Sequence, residues 1–109
     1  MPQFYYVTTK TKEEAKEIAK ALLQKKYIAG ANIFPLESLY WWQDELCEEE
    51  EYALVMQSTK ENFAKIEEEV KTLHSYEIPC IVSFTITKGS SDFLSWIRET
   101  AKNIEKKEA

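Results

Sequence analysis

One run constrains this chain more than any other: Leu39-Tyr40-Trp41-Trp42-Gln43-Asp44-Glu45-Leu46-Cys47-Glu48-Glu49-Glu50-Glu51-Tyr52, three adjacent aromatics followed by six acids in eight positions. Successive side chains of a strand point to opposite faces, so adjacent rings cannot all enter one core. From Ile28 to Trp42 apolar residues occupy both parities, with Pro35 in the middle, and Tyr52-Ala53-Leu54-Val55-Met56 reads as a returning strand. The run predicts a long hairpin with the acids as its solvated turn. Its rings divide between the subunit's own core and a surface that something else must cover.

The flanking sequence completes the order of elements. Phe4-Tyr5-Tyr6-Val7-Thr8-Thr9 is rich in aromatic and β-branched residues, and Thr11-Lys12-Glu13-Glu14 supplies a capping box for a helix. Ala15, Ile18, Ala19, Leu22 and Leu23 give that helix one apolar stripe. Phe63, Ile66, Val70 and Leu73 mark a second helix starting near Thr59. Ile78 to Thr87 alternates as a strand, with Cys80, Val82, Phe84 and Ile86 on the face assigned to the core. Gly89-Ser90-Ser91-Asp92 then starts a third helix carrying Phe93, Leu94, Ile97, Ala101 and Ile104.

The order β-α-β-β-α-β-α predicts an α+β, ferredoxin-like sandwich: a four-stranded antiparallel sheet with a long hairpin, two helices on one face and an extra C-terminal helix. Residues 1–109 read as a single domain, with about 105–109 expected to fray. The hairpin's first strand lies at the sheet edge, where Pro35 is tolerated because no ladder bond needs its missing N–H. A long greasy edge and an uncovered sheet face invite another subunit. The alternative is a monomer in which the third helix, through Trp96, folds back over that face.

Composition narrows the function classes. A net charge of -5 and lysines interspersed with acids exclude a general phosphate-backbone binder, so no nucleic acid is expected as partner. Apolar runs fall far short of the roughly 20 residues that span a bilayer, and no leader pattern opens the chain, so a cytoplasmic protein without membrane association is expected. Cys47 and Cys80 form no CxxC pair and read as reduced thiols, Cys80 as core packing. There is no nucleophile elbow or phosphate-cradling glycine loop, and the sole arginine, Arg98, lies in the third helix, so no enzyme is expected.

The segments Ala31-Asn32-Ile33-Phe34-Pro35, Ser38-Leu39-Tyr40-Trp41-Trp42, Leu73-His74-Ser75-Tyr76-Glu77-Ile78-Pro79 and Phe93-Leu94-Ser95-Trp96 resemble, in order and spacing, the CutA family of divalent-cation tolerance proteins. The resemblance implies a homotrimer of ferredoxin-like subunits paired edge to edge, a role in tolerance of copper and other divalent metals, and no established catalytic reaction. It also implies a trimer like that of the PII signalling proteins, which leaves open a sensor or scaffold that binds a small metabolite and a partner protein. Gly30 and Val7 stand where many members carry cysteine, removing soft ligands for copper. Ser75 replaces the family's proline, and Gln57 its lysine.

The candidate metal ligands are His74, the only histidine, and Glu77 three positions on, offering imidazole and carboxylate to Cu2+ or Zn2+. The opposing reading makes His74 the end of the second helix and a hydrogen-bonding residue. No cofactor is required. Tyr40, Trp41, Trp42, Tyr76 and Trp96 are the candidates for a subunit interface or cleft.

Overall fold

The computed structural model describes residues 1–102. Its elements are β1 (Pro2–Thr9), α1 (Lys12–Gln24), β2 (Gly30–Trp42), β3 (Glu45–Thr59), a 3-10 turn (Lys60–Asn62), α2 (Phe63–Leu73), β4 (Ile81–Thr85) and α3 (Ser91–Thr100). The sheet is antiparallel in the order β2-β3-β1-β4, which puts β2 at an edge as its proline requires. Ile104 and the segment expected to fray lie outside the described residues.

Local signals set the helix starts. The Thr11 hydroxyl accepts the Glu14 amide, and Ser90 does the same for Phe93, each satisfying an amide that a helix start leaves without a partner. α1 and α2 lay Ile18, Leu22, Ile66 and Val70 onto one sheet face, where Tyr5, Val7, Leu54 and Met56 complete a closed core. The Tyr5 hydroxyl reaches the Thr59 carbonyl at 2.6 Å, so this ring is buried without stranding its polar end.

The hairpin outruns the helices. Thirteen residues of β2 extend about 43 Å at strand rise, whereas the thirteen of α1 cover about 20 Å. Beyond the helix layer Leu39, Trp41 and Leu46 share the helix-side face of the hairpin and are largely exposed, Trp41 at 72%. The expectation that one set of hairpin rings enters the subunit's own core is thus corrected: at the tip both faces are open.

Two further expectations change. Of the six acids only Asp44 belongs to the turn, which consists of Gln43 and Asp44, both at positive φ (50° and 66°), the left-handed geometry a two-residue hairpin needs. Glu45 and Glu48 to Glu51 lie on β3, paired with residues of β2. β4 is also shorter than Ile78 to Thr87, and its faces are reversed. Ile81 packs on the core while Val82 and Phe84 look outward, Phe84 at 57% exposure, and Cys80 is exposed rather than core packing. Alternation alone cannot say which parity faces in when both carry apolar residues.

α3 packs on β1 and β3. Gly30, Asn32 and Gln57 share the face away from α1 and α2, and a Cβ on Gly30 would lie 3.1 Å from the Trp96 ring and 2.7 Å from Gln57 Oε1. The third helix therefore does turn back onto the open face, but only at one end. Phe34, Val82 and Phe84 remain uncovered. Asn62 ties this corner together, its amide donating to the carbonyls of Tyr27 (2.9 Å) and Ala101 (3.1 Å).

Candidate functional site

Where the hairpin leaves the sheet, the segment from α2 to β4 faces it and encloses a cleft of about 780 Å3. Parity places Ser38, Tyr40 and Trp42 of β2 beside Cys47, Glu49 and Glu51 of β3 on one face. Tyr76, Glu77 and Cys80 form the opposite wall. Of the charged side chains lining it, four are carboxylates, Glu37, Glu49, Glu51 and Glu77, and one is an ammonium, Lys10.

Glu51 is the centre of this arrangement, although the sequence placed it in a solvated turn. It is only 5% exposed, and it accepts hydrogen bonds from Ser38 Oγ at 2.6 Å and from the Tyr76 hydroxyl. Glu49, one strand pair nearer the tip, accepts the Tyr40 hydroxyl at 2.8 Å. Both carboxylates are thus held by neutral hydroxyls from different elements. Their signal in the sequence is the period-two spacing of Ser38 and Tyr40 against Glu49 and Glu51, which makes Ser38–Glu51 and Tyr40–Glu49 diagonal neighbours on one face and is visible only once the hairpin register is known.

The wall containing Tyr76 is fixed from behind. His74 caps the C-terminus of α2, its amide donating to Val70 O at 2.8 Å. Its imidazole is fully buried, with Nε2 2.7 Å from Thr8 O and Nδ1 accepting the Tyr76 amide at 3.1 Å. These partners set the neutral tautomer with the proton on Nε2. Glu14, from the first turn of α1, binds the Ser75 amide at 2.6 Å and hydroxyl at 3.1 Å, and lies 3.6 Å from His74 Nδ1. The carboxylate beside the histidine is therefore Glu14, and Glu77 stands exposed on the cleft side. Among the described residues no group of three or more His, Cys, Asp and Glu is disposed to hold a metal ion.

The phenols titrate high because burial and the carboxylates beside them both disfavour the phenolate. The hydrogen bond to Glu49 leads in pushing Tyr40 up to about 12. Burial, then the bond to Glu51, raises Tyr76 above its ordinary value. Partial burial of the sulfur against the cleft wall, followed by the field of Glu51, raises the thiol of the otherwise exposed Cys80 as well, so that it is a poor nucleophile at neutral pH. Since the folded state favours the neutral phenol, this contribution to stability is complete below about 10 and is lost as pH climbs through the folded values. Phenolate absorbance is expected to show Tyr40 and Tyr76 ionising late, with one late phenol missing in Tyr76→Phe. Ionisation of all the tyrosines together near 10 would contradict the hydrogen-bonded pairs.

Of the interface or cleft candidates, the structure brings Tyr40, Trp42 and Tyr76 to the cleft, leaves Trp41 on the other face of the hairpin, and stacks Trp96 on Phe93 with ring centroids 5.5 Å apart. Both cysteines are free. Among the described residues no helix is long and apolar enough to cross a membrane.

Fold and cleft together define a small α+β ferredoxin-like protein whose cleft is built on an overlong edge hairpin. Residues 3–100 match the model of the CutA1 divalent ion tolerance protein family, and the chain belongs to that family. It is 43% identical to the divalent-cation tolerance protein CutA of Archaeoglobus fulgidus over 94% of this chain and all of that one, and 40% identical to its Thermus thermophilus namesake over 91% and 97%. The solved structure described as the periplasmic divalent cation tolerance protein CutA from Archaeoglobus fulgidus superposes with a TM-score of 0.91, at 43% identity, covering 94% of this chain and 100% of that chain. The family is named for tolerance, not for a reaction.

Proposed function

We propose that this chain acts as a non-enzymatic cytoplasmic homotrimer in the response to divalent metal ions, with its ligand site at the boundary between subunits. The observation that carries the reading is the position of the cleft: Glu37, Glu49 and Glu51 come from an edge hairpin whose tip is open, Glu77 faces them from the segment before β4, and a neighbouring subunit can close the space between. A divalent ion, Cu2+ or Zn2+, is held through oxygen by the exposed Glu77, with remaining ligands from the neighbour. His74 acts from behind as a positioning residue, since both its ring nitrogens hold backbone groups. That commitment also removes the only histidine as a general base, which supports a binding rather than a catalytic role.

Titration calorimetry with Cu2+ and Zn2+ is expected to give saturable heats that weaken about tenfold in Glu77→Gln. Identical heats for the two proteins would remove Glu77 from the site, and no heat at all would remove metal binding.

A second reading, a PII-like sensor or scaffold that binds a small metabolite and answers to a partner protein, is favoured by the size of the cleft. A volume of about 780 Å3 suits a small molecule better than a bare ion.

A further inference from the structure

We propose that the cleft binds a small organic cation, an alkylammonium or guanidinium compound, through carboxylates and aromatic ring faces together. The proposal rests on the sensor reading and names its ligand class. Acids on a surface are ordinarily just solvated, and the acidic stretch of β3 alone would carry nothing. The buried one differs. Glu51 is withdrawn from water, yet both its described partners, Ser38 and Tyr76, are neutral hydroxyls. A buried carboxylate is costly unless its charge is met, and hydroxyl donors satisfy its lone pairs without cancelling that charge. A cation entering the cleft supplies the missing half.

Three features select an organic cation over an inorganic one. The described acids form no cluster that could surround a metal ion. The phenol hydroxyls of Tyr40 and Tyr76 are engaged by Glu49 and Glu51, which leaves their rings as the part of these residues that lines the cleft. Tyr40 and Trp42 line the hairpin side of the cleft and Tyr76 the facing side, and aromatic rings attract ammonium or guanidinium groups by their quadrupoles. A carboxylate also keeps acceptor sites after taking one or two hydroxyl bonds, enough to receive N–H donors. Lys10 at the rim is outnumbered by the acids, so anionic ligands are disfavoured.

The test is fluorescence and calorimetric titration of the assembled full chain with agmatine and putrescine, with glutamate and AMP as anionic probes and a blocked Lys-Arg dipeptide as a fragment of protein. Agmatine or putrescine is expected to bind, the dipeptide more weakly, and the anions not at all. Glu49→Gln and Tyr40→Leu are each expected to weaken the amine about tenfold; both lie on the hairpin outside the closed core, so the fold survives either change. Unchanged affinity in both variants would overturn the proposal, as would binding of the dipeptide but not the free amines. Binding of an anion without the amines would overturn it while sparing the sensor reading, and binding of none of the small molecules would count against both.

Discussion

Removing the His74 imidazole is expected to cost about 2–4 kcal/mol of folding free energy, a large share of a small domain's margin of about 5–15 kcal/mol. In His74→Ala the Thr8 carbonyl and the Tyr76 amide each lose the partner that the ring supplied at 2.7 and 3.1 Å, and the filled space behind the cleft wall becomes a void. A buried polar group left without a partner costs about 1–3 kcal/mol, and the void adds to it. The substitution should also free Tyr76 from Glu51, returning one late-titrating phenol towards its ordinary range. Urea unfolding with phenolate titration measures both. A histidine held out for a metal would give the opposite pattern: little change in stability without metal, and an unaltered Tyr76.

The same residue shows where the sequence speaks and where it stops. Thr11 and Ser90 announced their helices because capping is a local affair, decided within four residues, although the Glu14 carboxylate expected to complete the box at Thr11 binds Ser75 instead. Pro35 placed β2 at an edge for a similarly local reason. The site was less legible because it depends on register and on contacts between distant segments. Nothing near Glu14 says that its carboxylate will bind Ser75, 61 positions away. Glu51 looked like one acid among six, and only the pairing of Leu36 with Glu51 across the hairpin separates it from its solvated neighbours.

The reversal of β4 has a related cause. Both of its parities carry apolar residues, so pattern alone could not decide that Ile81 points inward and Cys80 outward. The hairpin rings posed the converse problem. Their excess of hydrophobicity was plain, but the single subunit buries neither face of the tip, and the helix layer is too short to reach it. Contiguous apolar patches on monomers seldom exceed a few hundred Å2, and large aromatics bury about 150 to 250 Å2 each when covered. Leu39, Trp41 and Leu46 on one face of the tip, and Phe34, Val82 and Phe84 on the uncovered sheet face, are therefore the surfaces through which assembly has most to gain.

Assembly carries the largest expected effect of all. An edge-strand contact that joins one subunit to the next by the same rotation closes into a ring, burying the edge as it does so. Three copies satisfy the proposed arrangement and place a cleft at each boundary. Light scattering at micromolar concentration measures this directly. The expected mass is three times the 12.8 kDa of the chain, persisting on dilution. A single species at 12.8 kDa would contradict the account, leaving the aromatic hairpin without the partner that explains it.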